Sequence, residues 1–332
     1  MQKIEFRAMG CHMLAIVDTN DARAQDVLAS VPMWFEEWEN ILSRFRADCE
    51  LNQLNANPGR PVRVSETLFA VLEQSINTAR LSNGLVTPTV LDALESAGYD
   101  RSFDALNDLS LRGAILSEAE RSRRIATKQS PSEIRDWRDI KIDAHARTIE
   151  LPQGMHLDFG GTSKGWAADL AAKKLSQVAP ALVDAGGDIA ISGARANGDR
   201  WQISIADPFT PENDLEQLVV RSGGIATSGR DFRRWEKNGA PQHHIIDPRT
   251  GRPAETDVLT ATVIAPSTSQ AEVAAKVALI LGSQAGLQWI EEQSDLAGML
   301  VLENGQTIES TRFDQYVWRQ LFIAQTNLFE AD

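Results

Sequence analysis

The sequence predicts a mixed α+β (α/β) fold with a central sheet and flanking helices, formed as one bilobal domain over residues 1–332. Segments with apolar residues at helical spacing alternate with apolar segments of strand length. The strand-length segments are bounded by glycine, proline or aspartate. The chain has no fixed-period repeat and no low-complexity tract, which argues against solenoids and propellers. No stretch has the composition of a flexible linker, so separate domains are not expected.

The first part of the chain predicts a hairpin followed by helices. The opening stretch MQKIEFRAMGCHMLAIVD is typical of a β-hairpin, and the apolar spacing over about 22–42 predicts a helix. A second amphipathic helix is expected over 65–82, because Ser65 is a suitable N-cap and Asn83-Gly84 is a stop signal.

The remainder of the chain predicts most of the sheet. The stretch 121–139 is polar and mixed in charge, which favours a long surface excursion or lid. Four later segments have strand composition and are bounded by turn residues. They are ALVDAGGDIAISG, WQISIAD, QLVVRSGGIATSG and VLTATVIAP.

Composition limits the partners and the location. The chain has 33 basic and 46 acidic residues, a formal charge of −13, so nucleic acid is not expected as the main partner. Its apolar runs are much shorter than the roughly 20 residues that span a bilayer, so no membrane span is predicted. The first residues lack the segments of a signal peptide, which predicts a cytoplasmic chain. Cys11 and Cys49 lie in no metal-ligand spacing and are expected as packed thiols.

The segment HLDFGGTSKGWAADL, 156–170, combines an acid, two glycines and a lysine at a strand-to-helix turn. Gly160 and Gly161 let backbone approach a ligand closely, and Lys164 in the first helical turn adds positive charge beside free N–H groups. A phosphate cradle and a purely structural tight turn are both consistent with this pattern, which is neither a Walker A loop nor a GxGxxG fingerprint.

The segment HHIIDPRTGRP, 243–253, predicts a turn that starts at Asp247. Strand alternation sends His243 and His244 to opposite faces, so one imidazole is expected to face inward, as a core residue or as a general acid or base. Upstream, ATSGRDFRRW contains Thr227, which suits either backbone capping or ligand contact.

A late apolar helix, SQAEVAAKVALILG, carries one acid and one base, Glu272 and Lys276, one turn apart. Such a pair adds only about 0.2 to 0.5 kcal/mol to a helix, so helix stability alone does not account for charges in this setting. The two residues form either a surface ion pair or part of a ligand site.

The motifs occur in an order that resembles the ApbE family. They are AMGC, LSRFRADCELNQLN, GLVTPTV, LDFGGTSKGWAAD, LVDAGGDIAISG, IATSGR, HHIIDPRTGRP and AEVAAKVALILG. The resemblance spans nearly the whole chain and implies a T-fold-related single domain. It also implies an FAD:protein FMN transferase, which transfers FMN from FAD to a threonine hydroxyl of an acceptor flavoprotein and releases AMP.

The same resemblance implies the site residues. FAD would be the substrate and Mg²⁺ a cofactor, with His244, Lys164 and Asp247 as catalytic residues; for His244 both FAD contact and proton transfer stay open. The positions carried over for FAD contact are Met9, Phe45, Leu85, Val86, Thr87, Asp158, Lys164, Thr227 and His244. The positions carried over for the metal are Gly161, Glu272 and Lys276.

Two of the metal positions depart from the family pattern, which has Asp and Thr where this chain has Glu272 and Lys276, and Thr87 stands where Asp is usual. A longer carboxylate fits octahedral Mg²⁺ less well, and an ammonium cannot donate a lone pair. Either Lys276 turns away from the ion, or it replaces the ion. The sequence therefore leaves two alternatives to the transferase: an FAD-binding protein without transferase activity, and an FAD pyrophosphatase that releases FMN and AMP.

Overall fold

The computed structural model describes residues 1–106 and 133–319. Seven helices lie wholly within these ranges, apart from single-turn 3₁₀ segments, and residues 103–106 are helical as well. The seven helices are α1 (Ala22–Leu42), α2 (Glu50–Asn55), α3 (Glu66–Leu81), α4 (Leu91–Ser96), α5 (Ser163–Leu175), α6 (Thr268–Leu281) and α7 (Ser283–Glu292).

Eight strands form one fully antiparallel sheet, in the order β1-β2-β6-β7-β10-β15-β16-β17. These strands are β1 (Gln2–Ala8), β2 (Cys11–Val17), β6 (Ala181–Ala185), β7 (Asp188–Ile191), β10 (Gly223–Gly229), β15 (Val258–Ala265), β16 (Ala297–Leu302) and β17 (Thr307–Glu309).

The remaining strands form small separate sheets. They are β3 (Val62–Arg63), β4 (Lys141–Asp143), β5 (Thr148–Glu150), β8 (Trp201–Ala206), β9 (Asp214–Val220), β11 (Arg234–Lys237), β12 (Ala240–His243), β13 (Ile246–Asp247) and β14 (Arg252–Pro253).

Both faces of the central sheet are covered. On one face, α5 contacts β6 and β7 while α6 contacts β10 and β15, and α1 and α3 pack against α5. On the other face, apolar residues of the β8–β9 hairpin, including Trp201 and Leu218, pack against sheet residues such as Ile225 and Met299. Because both faces of the sheet are covered, every residue of β15 is buried. This is the burial pattern of a strand in the interior of a domain.

The fold class and the main elements predicted from the sequence are confirmed. The opening residues form the β1–β2 hairpin, and the helix expected over 22–42 is α1. The helix expected over 65–82 is α3, in which the Ser65 side chain accepts a hydrogen bond from the Leu68 amide as an N-cap.

Other predictions are tested only in part. Most of the excursion expected over 121–139 lies outside the described residues, whereas its last residues include a 3₁₀ turn, Trp137–Asp139. The single domain over 1–332 stays a prediction. Within 1–106 and 133–319, every helix is too short or too polar to cross a bilayer.

Contacts between α5 and α6 fix the two helices that carry the charged residues. The Asp169 carboxylate on α5 accepts hydrogen bonds of 2.9 Å from the amides of Thr268 and Ser269, the first residues of α6. A carboxylate at this position satisfies amides that have no partner within the helix and interacts favourably with the helix dipole. The middle of α5 and the start of α6 are thereby held side by side.

Candidate active site

A cavity of about 440 Å³ opens where the β1–β2 turn, the end of α1, the turn before α5 and one side of α6 meet. Ten of the site residues predicted from the sequence line this cavity, although they come from six separate segments. They are Met9, Phe45, Leu85, Val86, Thr87, Asp158, Gly161, Lys164, His244 and Lys276.

The three other predicted residues lie outside the lining. Glu272 is buried behind Lys276, to which it is bonded. Asp247 is buried in the predicted turn, where its carboxylate accepts hydrogen bonds from the Arg249 amide and guanidinium. Thr227 shares a hydroxyl hydrogen bond of 2.9 Å with Thr262 on the neighbouring strand. The structure thus gives Asp247 and Thr227 protein partners, and their predicted roles toward FAD stay predictions.

Two lysines lie on the floor of the cavity, and each is paired with a buried carboxylate outside the lining. Lys164, in the first turn of α5, donates to the buried Asp188 at the start of β7. Burial alone would lower the pKa of Lys164, but the attraction of Asp188 and Glu272 is stronger and raises it above its ordinary value. Burial raises the pKa of Asp188 to about 6, against the attraction of Lys164. Both groups are therefore charged at neutral pH.

The second pair is Glu272 and Lys276. The Lys276 ammonium donates a 3.0 Å hydrogen bond to Oε1 of Glu272, and the Gly165 amide donates one of 3.0 Å to Oε2. The Glu272 residue is 1% exposed. Burial opposes its ionisation, but attraction to Lys276 and Lys164 holds the pKa of Glu272 below its usual value. Lys276 therefore lies beside an ionised carboxylate whose two oxygens are both engaged.

These residues do not fit a divalent cation. An ammonium occupies the Oε1 side of Glu272, and two like unit charges about 4 Å apart repel by about 4 kcal/mol at an effective dielectric of about 20, and more strongly when one is divalent. Across residues 1–106 and 133–319, no group of three or more His, Cys, Asp or Glu side chains is arranged to hold a metal ion. The prediction of Mg²⁺ is therefore not supported by the donor set.

The glycine turn before α5 is stabilised by the carboxylate of Asp158, which is part of the same turn. Oδ1 of Asp158 accepts a 2.8 Å hydrogen bond from the Gly160 amide, and Oδ2 lies 2.8 Å from Nε of Arg44. The Arg44 side chain is 5% exposed and also donates to the Tyr99 carbonyl. Asp158 thus fixes both the glycine turn and an arginine at the cavity wall.

An aromatic wall faces this charged floor. Arg44 lies over the rings of Phe45 and Tyr99, whose centroids are 5.5 Å apart, and Tyr99 stacks on Trp235 at 5.3 Å. Phe45 was predicted from the sequence, but Arg44, Tyr99 and the cavity-lining Arg233 were missed. Arg44 and Arg233 are in the quoted LSRFRADCELNQLN and ATSGRDFRRW segments and could have been found there, whereas no local signal marks Tyr99.

The two histidines face different surroundings, although strand alternation is not the reason, since β12 ends at His243 and His244 lies in the bend that follows. His243 is buried, with Nε2 3.0 Å from the Ala254 carbonyl oxygen. His244 lines the cavity, and its buried Nδ1 has no hydrogen-bond partner among the described residues. Burial lowers the pKa of His244 well below its ordinary value, and the nearby Arg233 and Lys276 add to the effect. The imidazole is therefore neutral at physiological pH.

A cavity with aromatic rings, two lysines and a neutral histidine in its lining is the kind of site that suits an anionic ligand with aromatic rings. The chain belongs to the ApbE family, whose sequence pattern matches residues 9–300.

Relatives and solved structures agree with this assignment. The FAD:protein FMN transferase of Treponema pallidum is 31% identical over 82% of this chain and 75% of its own length. That of Salmonella typhimurium is 24% identical over 95% and 88%. The ApbE protein of Thermotoga maritima superposes with a TM-score of 0.79 at 23% identity, covering 96% of this chain and 99% of its own. The apo flavinyl transferase ApbE of Pseudomonas stutzeri has a TM-score of 0.74 at 21% identity, covering 96% and 98%.

Proposed function

We propose that this chain is an FAD:protein FMN transferase, which transfers FMN from FAD to a threonine hydroxyl of an acceptor flavoprotein and releases AMP. The observation that carries the proposal is the family match over residues 9–300, together with relatives that bear this activity in their names. These names favour the transferase over a flavin carrier or a pyrophosphatase.

The chemistry is a displacement at phosphorus. The threonine oxygen forms a bond to the phosphorus of the FMN half, the bond from that phosphorus to the AMP phosphate breaks, and the hydroxyl proton is released. Such a reaction depends on positioning and on positive charge near oxygens that gain negative charge. Lys164 and Lys276 supply that charge in a protein whose net charge is −13.

His244 is proposed as the acceptor of the hydroxyl proton. It lines the cavity and is neutral at physiological pH, which a general base requires. Asp247, held by Arg249, would shape the turn that presents His244. Met9, Phe45, Leu85, Val86, Thr87 and Asp158 are proposed to contact or frame FAD, and Thr227 stays a prediction from the family motif alone.

Magnesium has no step in this proposal, since the donor set does not fit it. A cytoplasmic location and the lack of a nucleic-acid partner stay predictions from the sequence.

The test is to incubate the full-length protein with FAD and an acceptor flavoprotein domain, and to measure the mass of the intact acceptor by mass spectrometry. We expect a mass increase equal to FMN, lost when the target threonine is replaced by valine. FAD that binds without release of AMP would identify a carrier. AMP and free FMN formed without acceptor would identify a pyrophosphatase.

A further inference from the structure

Lys276 lies against the glycine turn at the floor of the cavity. A Cβ atom added to Gly161 would lie 3.7 Å from Cε of Lys276, so the lysine stem passes directly over this turn. Its side chain is 15% exposed, and both Lys276 and Gly161 line the cavity. The ammonium is therefore placed where a ligand that contacts the turn would meet it.

The Lys276 ammonium has bonding capacity left for a ligand. An ammonium has three N–H donors. Glu272 accepts from it, and no second hydrogen-bond partner is present in the part of the chain that the structure describes. The bond to Glu272 orients the ammonium while the other donors stay available on the cavity side.

The charges of the floor are already balanced without a metal ion. Lys164 and Lys276 carry two positive charges, and the buried Asp188 and Glu272 carry two negative charges. Each carboxylate is paired with a lysine, so neither needs an added cation to offset its burial. A diphosphate that binds on the cavity side of the lysines would find positive groups closest to it.

We propose that the Lys276 ammonium takes the place of a divalent cation, so that the diphosphate of a dinucleotide binds to Lys276 and Lys164 without a metal ion. The inference deepens the proposed function, on which it rests for the identity of the dinucleotide. Glu272 is then a positioning residue that holds the ammonium, and the glycine turn at Gly161 leaves room for its stem.

The first test compares FAD binding by the full-length protein in excess EDTA and in excess MgCl₂, followed by flavin fluorescence and by calorimetry. We expect dissociation constants that agree within about twofold, because no metal takes part. Binding that tightens by about tenfold or more with Mg²⁺ would overturn the inference.

Variants test the lysine itself. Lys276→Gln removes the charge and is expected to weaken FAD binding by about 10- to 100-fold, the effect of losing a charge-assisted hydrogen bond. Lys276→Arg keeps the charge and should retain most of the affinity. Lys141→Gln is the matched control, since Lys141 also pairs with a glutamate, at 2.7 Å, but is 74% exposed on β4. Unchanged affinity in folded Lys276→Gln would overturn the inference, and if that variant does not fold, Lys276→Arg and the metal comparison still decide it.

The outcomes separate this inference from the proposed function. Mg²⁺-dependent FAD binding with flavinylation of an acceptor would overturn the lysine inference and leave the transferase intact. EDTA-resistant FAD binding without flavinylation would overturn the transferase and leave the lysine inference intact. A protein that binds no FAD in either buffer would overturn both.

Discussion

The backbone amide of Gly165 on α5 donates a 3.0 Å hydrogen bond to Oε2 of Glu272 on α6. The approach requires glycine, because an added Cβ would lie 2.8 Å from that oxygen and 3.1 Å from the Ser269 amide nitrogen. Glu272 is thus fixed by a neighbouring helix as well as by Lys276, and the position of the ammonium depends on how closely the two helices pack.

Gly165→Ala is expected to destabilise the protein. Alanine favours a helix by about 1 kcal/mol over glycine, but overpacking at a contact this close costs about 1 to 3 kcal/mol, so the net loss is about 1 kcal/mol. Urea unfolding measures it. Gly193→Ala, where an added Cβ would meet no atom within 4 Å, is the control and should change little. An alanine variant at 165 as stable as the wild type would contradict the proposed contact.

Lys276→Met is expected to cost on the order of 3 kcal/mol of unfolding free energy, because it leaves the buried Glu272 carboxylate without its ammonium. Adding Glu272→Gln should recover most of the loss, since the uncompensated charge is then gone. A double-mutant cycle by urea unfolding measures the coupling. Additive effects of the two substitutions would show that the residues do not form a pair in solution.

The double variant Glu272→Asp with Lys276→Thr is expected to raise the affinity for Mg²⁺. It restores the two oxygen ligands that the family resemblance implies at these positions and removes the competing ammonium. Titration calorimetry with MgCl₂, in the presence and absence of FAD, measures the gain over the wild type. No gain would count against placing α6 on the metal-binding helix of the family.

The histidines predict a loss of stability as the pH falls. Burial lowers the pKa of His243 and of His244 in the folded state, so the unfolded chain binds more protons below its own pKa of about 6.5. The contribution of the neutral histidines to the free energy of unfolding is fully present above that pH and is lost as the pH falls through it. Between about pH 7.5 and about pH 6, His244 should cost roughly 1 kcal/mol, because its proton is taken up only on unfolding, and His243, whose pKa is lowered less strongly, should cost less.

His244→Gln should therefore remove at least half of the decline that the two histidines cause, as measured by urea unfolding at each pH. His145→Gln, at an exposed turn, is the control. An unchanged slope in His244→Gln would show that His244 is not buried as a neutral group. Asp188, whose pKa is raised to about 6, acts in the opposite direction at lower pH, because there the folded state binds the extra proton.

Local signals predicted much of the fold. The bounds of α1 and the Ser65 cap of α3 follow from apolar spacing and from a hydroxyl beside unpaired amides, all within a few residues. The order of strands in the sheet did not follow, because β10 pairs with both β7 and β15 through contacts distant in sequence.

Ten of the predicted residues line the cavity, but most of the pairings in and around it were not predicted. Family motifs located Lys164 and Glu272, yet their partners Asp188 and Gly165 lie 24 and 107 residues away from them in sequence. Spacing on one helix did anticipate the Lys276–Glu272 pair, since residues four apart share a face. The spacing does not say whether that face of α6 is exposed or buried, because its burial depends on how α5 packs against it.

The most direct test of the account is the amount of AMP and of covalently flavinylated acceptor formed from FAD by the purified protein in excess EDTA. We expect equimolar AMP and FMN-bound acceptor, at a rate that added Mg²⁺ does not increase. FAD bound but uncleaved, with neither product at any Mg²⁺ concentration, would contradict the proposed transferase.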